Sequence, residues 1–232
     1  LDSKPEITHQ DHLGTSPYVS DAASYQNVLD ALGNSGHAQF IQLVTMQNHT
    51  PYDDYYPDNQ FREADVSELS DDEKWDIDSY AKGVDITDQA TEDFLNQLNS
   101  TDKPITVIFY GDHLPGVYNT AAADENNAIP LHETDYFIWS NQASVSAGTK
   151  LDSQTSSYTS SNYFMALAAE HLDAKVSPYL AMLTQAQTQI PAISRLVSSN
   201  ASWGDGSTVY LDAEGNHVTS KNLSKEAKAD AP

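Results

Sequence analysis

Residues 106–116 read T-V-I-F-Y-G-D-H-L-P-G, and the fold turns on this stretch. Val107, Ile108, Phe109 and Tyr110 are β-branched or aromatic, and Gly111 stops the run. The pattern predicts a short buried strand closed by a turn residue. Asp112 and His113 follow at once, placing a carboxylate and an imidazole at the carboxyl end of that strand. In open α/β sheets this edge is where ligands bind. Pro115 and Gly116 stiffen and then release the loop. Asp and His side by side suit a divalent metal such as Mn²⁺ or Zn²⁺. The alternative is a surface turn in which Asp112 caps backbone amides.

Composition narrows the classes. The chain has 232 residues, enough for one large domain or a domain with an appendage, and 39% hydrophobic content can supply a core. No apolar run approaches the ~20 residues of a membrane span, and no signal-peptide pattern is present. The first residue is Leu1, so the chain is expected to be part of a longer protein. Cysteine is absent, which excludes disulfides and thiolate metal sites. The net charge of −23, with only 11 Lys and Arg, argues against nucleic-acid binding through a basic face and against attraction to bare anionic lipid.

Outward from the central strand, strand and helix patterns alternate. Residues 1–20 read as loop, in which His9, Asp11 and His12 are either metal candidates or exposed polar residues. Asp21 is a plausible N-cap for a helix with Tyr25, Val28, Leu29 and Leu32 on one face, ended by Gly33. Residues 40–45 read as a strand running into M-Q-N-H-T-P-Y at 46–52. An acidic, aromatic loop follows. Ser70 or an acidic neighbour then opens a long helix to about Leu98, with Trp75, Tyr80, Val84, Phe94 and Leu98 inward and Gly83 a point of interruption. Residues 135–140 form another strand. Ser160 or Ser161 caps a helix carrying Phe164, Leu167, Ala168 and Leu172. Ser177-Pro178 opens the next, with Tyr179, Leu180, Leu183 and Ile190 apolar, and Pro191 ends it. Residues 208–211 and 217–219 flank D-A-E-G-N, a β-hairpin pattern. The last dozen residues are polar. The helix–strand–helix–strand order predicts a βαβ crossover and a largely parallel sheet flanked by helices, an α/β fold.

His49 then lies at the end of one strand and Asp112–His113 at the end of another, 113 − 49 = 64 residues apart. In a parallel sheet both ends emerge on the same side, so the three side chains are expected to converge. An imidazole facing a metal-bound pair suits an anionic oxygen such as a phosphate. Alternatively, His49 is a turn residue satisfied by backbone.

V-T-M-Q-N-H-T-P-Y (44–52), Y-G-D-H-L-P-G (110–116) and T-D-Y-F-I-W-S-N (134–141) resemble the extracellular catalytic domain of lipoteichoic acid synthase-type phosphoglycerol transferases, of the sulfatase/alkaline phosphatase superfamily. S-P-Y-L-A-M-L-T (177–184) and I-P-A-I (190–193) are similar to later helices of that family. The resemblance implies a sulfatase/alkaline phosphatase-like fold, incomplete at its N-terminal side and with a small C-terminal β-hairpin. Residues 1–200 would be the C-terminal part of the catalytic domain, and 201–232 a hairpin and polar tail. It implies transfer of glycerol phosphate from phosphatidylglycerol to a growing polymer outside the cell, through a covalent intermediate on a threonine and with a divalent cation, usually manganese. Asp112 and His113 match two metal ligands. His49 matches the histidine that contacts the substrate phosphate. The partners implied are a phospholipid head group or a glycerol phosphate polymer. The implied location is the extracellular face of a Gram-positive-type membrane, with a membrane-anchored parent.

The chain departs from the family before His49. The nucleophilic threonine and a glutamate ligand, with a tryptophan and an arginine that bind the head group, lie well upstream in the family. Thr8, Thr15 and Glu6 lack their context. The catalytic nucleophile is therefore expected outside this chain, and the chain alone is expected to be inactive. L-S-K-E-A-K (223–228) is similar to the start of a final family helix. Two other functions fit the residues: a sulfatase-superfamily hydrolase of phosphate or sulfate esters, and a noncatalytic extracellular module binding cations or wall polymer.

Overall fold

The computed structural model describes residues 7–33, 36–63, 68–195 and 208–219. The polar tail, including 223–228, lies outside the described residues. The chain forms two compact units, one from residues 1–101 and 115–123, the other from 102–114 and 124–232. The class is mixed α/β, with helices and two small antiparallel sheets.

In the first unit, α1 (Asp21–Gly33) packs on α2 (Asp71–Asn99). Ser20 rather than Asp21 caps α1, its Oγ accepting the Ala23 amide at 3.2 Å. Asp21 instead sits inside the first turn, 1% exposed. Tyr25 stacks on Phe94 with ring centroids 4.6 Å apart, and its hydroxyl meets Thr91 Oγ1 at 3.0 Å. Ser70 caps α2 as its sequence predicts, accepting the Glu73 amide at 3.2 Å. Gly83 does not interrupt α2; it is buried in a continuous helix. Trp75 and Val84 turn outward, which corrects the expected inner face. Leu98 is buried and Tyr80 and Phe94 are half-buried, in line with the expectation, and Gly83 and Thr91 complete the buried line, with half-buried Thr87 between. Trp75 is covered by the Arg62 guanidinium, 3.8 Å above its ring. The short α3 (Asn119–Ala122) is tied to α2 by buried Glu73, which accepts the Thr120 amide and hydroxyl at 2.8 and 2.7 Å.

In the second unit, β1 (Thr106–Tyr110) pairs with β2 (Tyr136–Ser140) in the register Thr106↔Ser140 to Tyr110↔Tyr136. Phe109 and Phe137, directly opposed, stack at 5.0 Å. Both strands fall where the sequence predicts, but the pair is antiparallel, not parallel. The connection through 111–135 holds only α3 and short 3₁₀ turns. It supplies no crossover helix, and an antiparallel return needs none. The other expected strand, 40–45, carries no ladder among the described residues, and Phe40 is 82% exposed. A strand exists through its partners' hydrogen bonds, and an apolar run alone does not provide them.

At the amino end of β1, Asn141 is fully buried. Its amide accepts from Ile105 N at 2.9 Å and donates to Lys103 O at 2.8 Å. Ser140 Oγ joins Thr106, Ser146 and buried His171 at 2.8–2.9 Å; burial holds the His171 ring below the usual histidine range. Beyond the short α4 (Ser153–Ser156), α5 (Phe164–His171) buries Leu167 completely. Ser177 caps α6 (Pro178–Gln189), with Pro178 at its first position, as predicted. Tyr179 is 63% exposed, however, so the buried side of α6 is Ala186 and Gln187. The predicted hairpin forms as β4 (Thr208–Leu211) and β5 (His217–Val218), and β3 (Ala192–Arg195) adds a third antiparallel strand. Ile190 and Tyr210 form its core with Ile193 and Val218. Leu167→Ala should cost about 2–5 kcal/mol, read from urea unfolding; a loss below about 1 kcal/mol would be that of a surface site.

Candidate functional site

The segment 46–52 is a turn anchored from inside. His49 N donates to Met46 O at 3.0 Å, closing the turn. Gln47 is 3% exposed and reaches both α1 and α2. Its Oε1 accepts the Asp21 amide at 2.9 Å, and its Nε2 donates to Gly83 O at 3.2 Å and Thr87 Oγ1 at 3.0 Å. Asn48 Nδ2 donates to the same Thr87 oxygen at 2.8 Å. The Thr87 hydroxyl donates to Asp21 Oδ2 at 2.6 Å. This one hydroxyl thus uses its donor and both acceptor positions. Gly83 is required here: a Cβ would stand 2.4 Å from Asn48 Oδ1. Burial pushes the Asp21 carboxyl up, opposed by hydrogen bonds from the Thr87 and Thr45 side chains and from the Gln47 backbone.

His49 is left exposed on this anchored turn. Its Nδ1 lies 2.7 Å from Thr50 O and 3.3 Å from the Tyr18 hydroxyl. Backbone satisfaction of the ring, one of the two sequence readings, is therefore realised at Nδ1, while Nε2 remains for a ligand. Tyr52, next along the motif, donates to Asn48 O at 2.8 Å and packs edge-on against Tyr80. Burial, with neighbouring Tyr80, Tyr118, Asp76 and Tyr56, pushes the Tyr52 phenol well above its usual range. It stays a neutral donor.

In the other unit, Asp112 and His113 extend from β1. Gly111 N donates to Asp135 O at 3.1 Å, and Thr134 Oγ1 donates to Gly111 O at 2.7 Å, so β2 fixes the turn. Asp112 Oδ1 accepts the His113 amide at 2.9 Å, which realises the capping alternative at one oxygen. The other oxygen, Oδ2, lies 3.7 Å from His113 Nε2. His113 Nδ1 donates to Leu114 O at 2.9 Å, leaving the Nε2 lone pair available. Two donors each about 2.1 Å from one cation stand about 3.4 Å apart in tetrahedral geometry. The pair therefore fits two positions of a metal shell with a shift of a few tenths of an ångström. Among the described residues, no three His, Asp or Glu side chains cluster to hold a metal. His9 Nε2 meets Asp30 Oδ2 at 2.9 Å, and His12 Nδ1 lies 3.2 Å from Ser16 O, so each is engaged locally. His49 belongs to the first unit and the Asp112–His113 pair to the second.

With this geometry in place, comparison with known proteins assigns the class. The sequence pattern of the Sulfatase family matches residues 2–174, and the chain belongs to that family. Within it, the likeness is to the phosphoglycerol transferase type. The structure of Streptococcus pyogenes phosphoglycerol transferase GacH, in complex with sn-glycerol-1-phosphate, aligns with a TM-score of 0.67 at 36% identity. The alignment covers 87% of this chain and 49% of that one. Capsular polysaccharide biosynthesis protein RkpI of Rhizobium meliloti (strain 1021) is 30% identical over 140 residues, 60% of this chain and 21% of the relative. The chain thus spans about half of the former (49%) and about a fifth of the latter (21%).

Gln47, Asn48, Asp21 and Thr87 escaped the sequence reading as site-building residues. The signal was in the motif itself: two amides beside a histidine in a segment leaving an apolar run. Thr87→Val should cost at least about 2 kcal/mol, because Asp21, Gln47 and Asn48 each lose a buried partner. Since the Asp21 carboxyl is raised in the fold, the native state holds that proton longer than the unfolded chain. Stability from this group is present below about pH 4 and lost as pH rises through the raised value. Thr87 opposes that loss, so the Thr87→Val penalty should be larger at about pH 7 than at about pH 4. Urea unfolding of both proteins at the two pH values measures it, and a penalty independent of pH would contradict the assignment.

Proposed function

We propose that this chain is the C-terminal part of a metal-dependent phosphoglycerol transferase, acting on phosphatidylglycerol-type phosphodiesters in the synthesis of a lipoteichoic acid-like cell-wall polymer. The observation that carries the reading is the Asp112–His113 pair, with Oδ2 and Nε2 3.7 Å apart at the end of β1 in a sulfatase-family chain. The 36% identity to a phosphoglycerol transferase solved with sn-glycerol-1-phosphate supports glycerol phosphate as the group recognised. Residues 1–200 belong to the catalytic domain in this reading, and 201–232 form a hairpin and tail. The partners are a phospholipid head group or a glycerol phosphate polymer. The parent protein is membrane-anchored and works on the extracellular face of a Gram-positive-type cell; in this chain no described helix is long and apolar enough to cross a membrane.

Asp112 and His113 would hold the divalent cation, Mn²⁺ by family resemblance. A bound cation there supplies charge neutralisation at the reacting phosphate. Asp112 contributes one carboxylate oxygen while the other fixes the loop through His113 N. His113 contributes Nε2, its tautomer set by the Leu114 carbonyl. His49 is the substrate-binding histidine of this reading, stabilising the phosphate oxygen on which charge develops. The nucleophilic threonine and the remaining ligands come from the upstream part of the parent.

Mn²⁺ titration of this chain by calorimetry should show only millimolar binding, roughly the weak end of cation sites. Submicromolar binding abolished by Asp112→Ala would reveal further ligands within the chain. In the parent extracellular domain, release of glycerol phosphate from a phosphatidylglycerol analogue should be metal-dependent. The 232-residue chain should stay at the buffer rate. Asp112→Ala or His113→Ala in the parent should nearly abolish turnover and metal content together. His49→Ala should lower turnover on the order of 10²–10³-fold with metal retained. Metal-dependent turnover by this chain alone would contradict the upstream nucleophile. Transfer to water with none to a glycerol acceptor would make the parent a hydrolase.

A further inference from the structure

Tyr18 lies outside every motif quoted above, yet it reaches the substrate-facing histidine. Its hydroxyl donates to Thr50 O and lies 3.3 Å from His49 Nδ1. The two rings meet edge-on, with centroids 5.7 Å apart. We propose that Tyr18 is a positioning residue that, with the Thr50 carbonyl, holds His49 in one tautomer and one orientation, with the proton on Nδ1 and the Nε2 lone pair turned to the ligand. The substrate role of His49 rests on the reading above; the tautomer does not.

The argument is one of donor and acceptor capacity. Thr50 O, 2.7 Å from Nδ1, can only accept. The Tyr18 hydroxyl has committed its proton to that same carbonyl, so it too offers Nδ1 only lone pairs. Both oxygens facing Nδ1 are acceptors, and Nδ1 must carry hydrogen. A neutral His49 then presents Nε2 as an acceptor, suited to a hydroxyl such as those of glycerol. A charged His49 presents Nε2–H, suited to a phosphate oxygen. Either contact is available without rotating the ring.

Tyr18 is itself held in place. Its amide donates to Ser16 Oγ at 3.2 Å, Ser20 N donates to Asp11 O at 2.8 Å, and His12 bridges to Val19. Gly14 adopts φ +53°, and a Cβ there would lie 2.1 Å from Tyr55 O. That close approach seats the loop against the segment following His49. His113 is the internal contrast, because its Nδ1 meets the Leu114 carbonyl, and among the described residues no tyrosine hydroxyl bonds to that ring.

¹⁵N-edited NMR of the 232-residue chain reads the ring protons directly. Neutral His49 should carry its proton on Nδ1. Tyr18→Phe, which keeps the ring but removes the hydroxyl, should raise the Nε2-protonated population of His49 about fivefold, the equilibrium counterpart of one neutral hydrogen bond. His113 should not change. Wild-type His49 protonated at Nε2, unchanged populations in Tyr18→Phe, or an equal change at His113 would each overturn the proposal. The outcome is separable from the functional reading. Full activity of His49→Ala in the parent, alongside the expected tautomer shift, would remove the substrate role and leave the Tyr18 inference standing.

Discussion

The hydroxyl of Thr87 is the point on which the first unit depends. It sits midway along a 29-residue helix, and three side chains from two other segments meet it. A buried carboxylate, a buried amide, a half-buried amide and a hydroxyl make a cluster that is costly wherever a polar atom goes unmatched, as Asn48 Oδ1 does. Here one oxygen accepts from two amides and gives its proton to the acid. The geometry admits only one docking of the 46–49 turn against α1 and α2. Apolar contacts, such as the Tyr25–Phe94 stack, add burial to that arrangement without fixing it as directionally.

The same small device appears at both candidate histidines, His49 and His113. In each, Nδ1 meets the carbonyl of the next residue, Thr50 at 2.7 Å and Leu114 at 2.9 Å. The chain thereby orients each exposed ring at Nδ1 with its own backbone. This contrasts with His171, buried against Ser140, where the ring nitrogen is used up inside the protein. Exposure together with a fixed tautomer separates a histidine available to a ligand from one that holds a core together.

Local chemistry was legible in the sequence where it is local. Ser70, Ser177-Pro178, Gly111 and the D-A-E-G-N hairpin act within a few residues, so their caps and turns could be read directly. The strands at 106–110 and 136–140 were legible from their β-branched and aromatic content. Their direction was not, because pairing sense depends on the connection, and 111–135 reads as neither crossover helix nor short turn. Segment 40–45 has strand composition but no ladder among the described residues, since no sequence pattern reports whether a partner is present. Asp21 was misread as a cap because capping and burial use the same side chain; Ser20, one residue earlier, was sufficient. The Asp112–His113 pair was legible as neighbours. The Gln47–Asp21–Thr87 network was not, because its members are up to 66 residues apart.

The D-H-L-P-G motif divides its labour along its length. Its first half ends β1 and presents the carboxylate and imidazole, both about 70% exposed at 73% and 68%. Its second half leaves that unit at Leu114 and enters the other at Pro115. There Val117 is buried at 4% exposure, and Thr120 is clasped through amide and hydroxyl by buried Glu73. Side chains so exposed make few packing contacts, so their direction must come from the backbone that carries them. That backbone is fixed at the end of β1 by the Gly111–Asp135 and Thr134–Gly111 bonds. Pro115 and Gly116 follow at once and set the path of the chain into the segment that Glu73 clasps, so the motif is specific because two exposed polar side chains and a constrained backbone fall on consecutive residues.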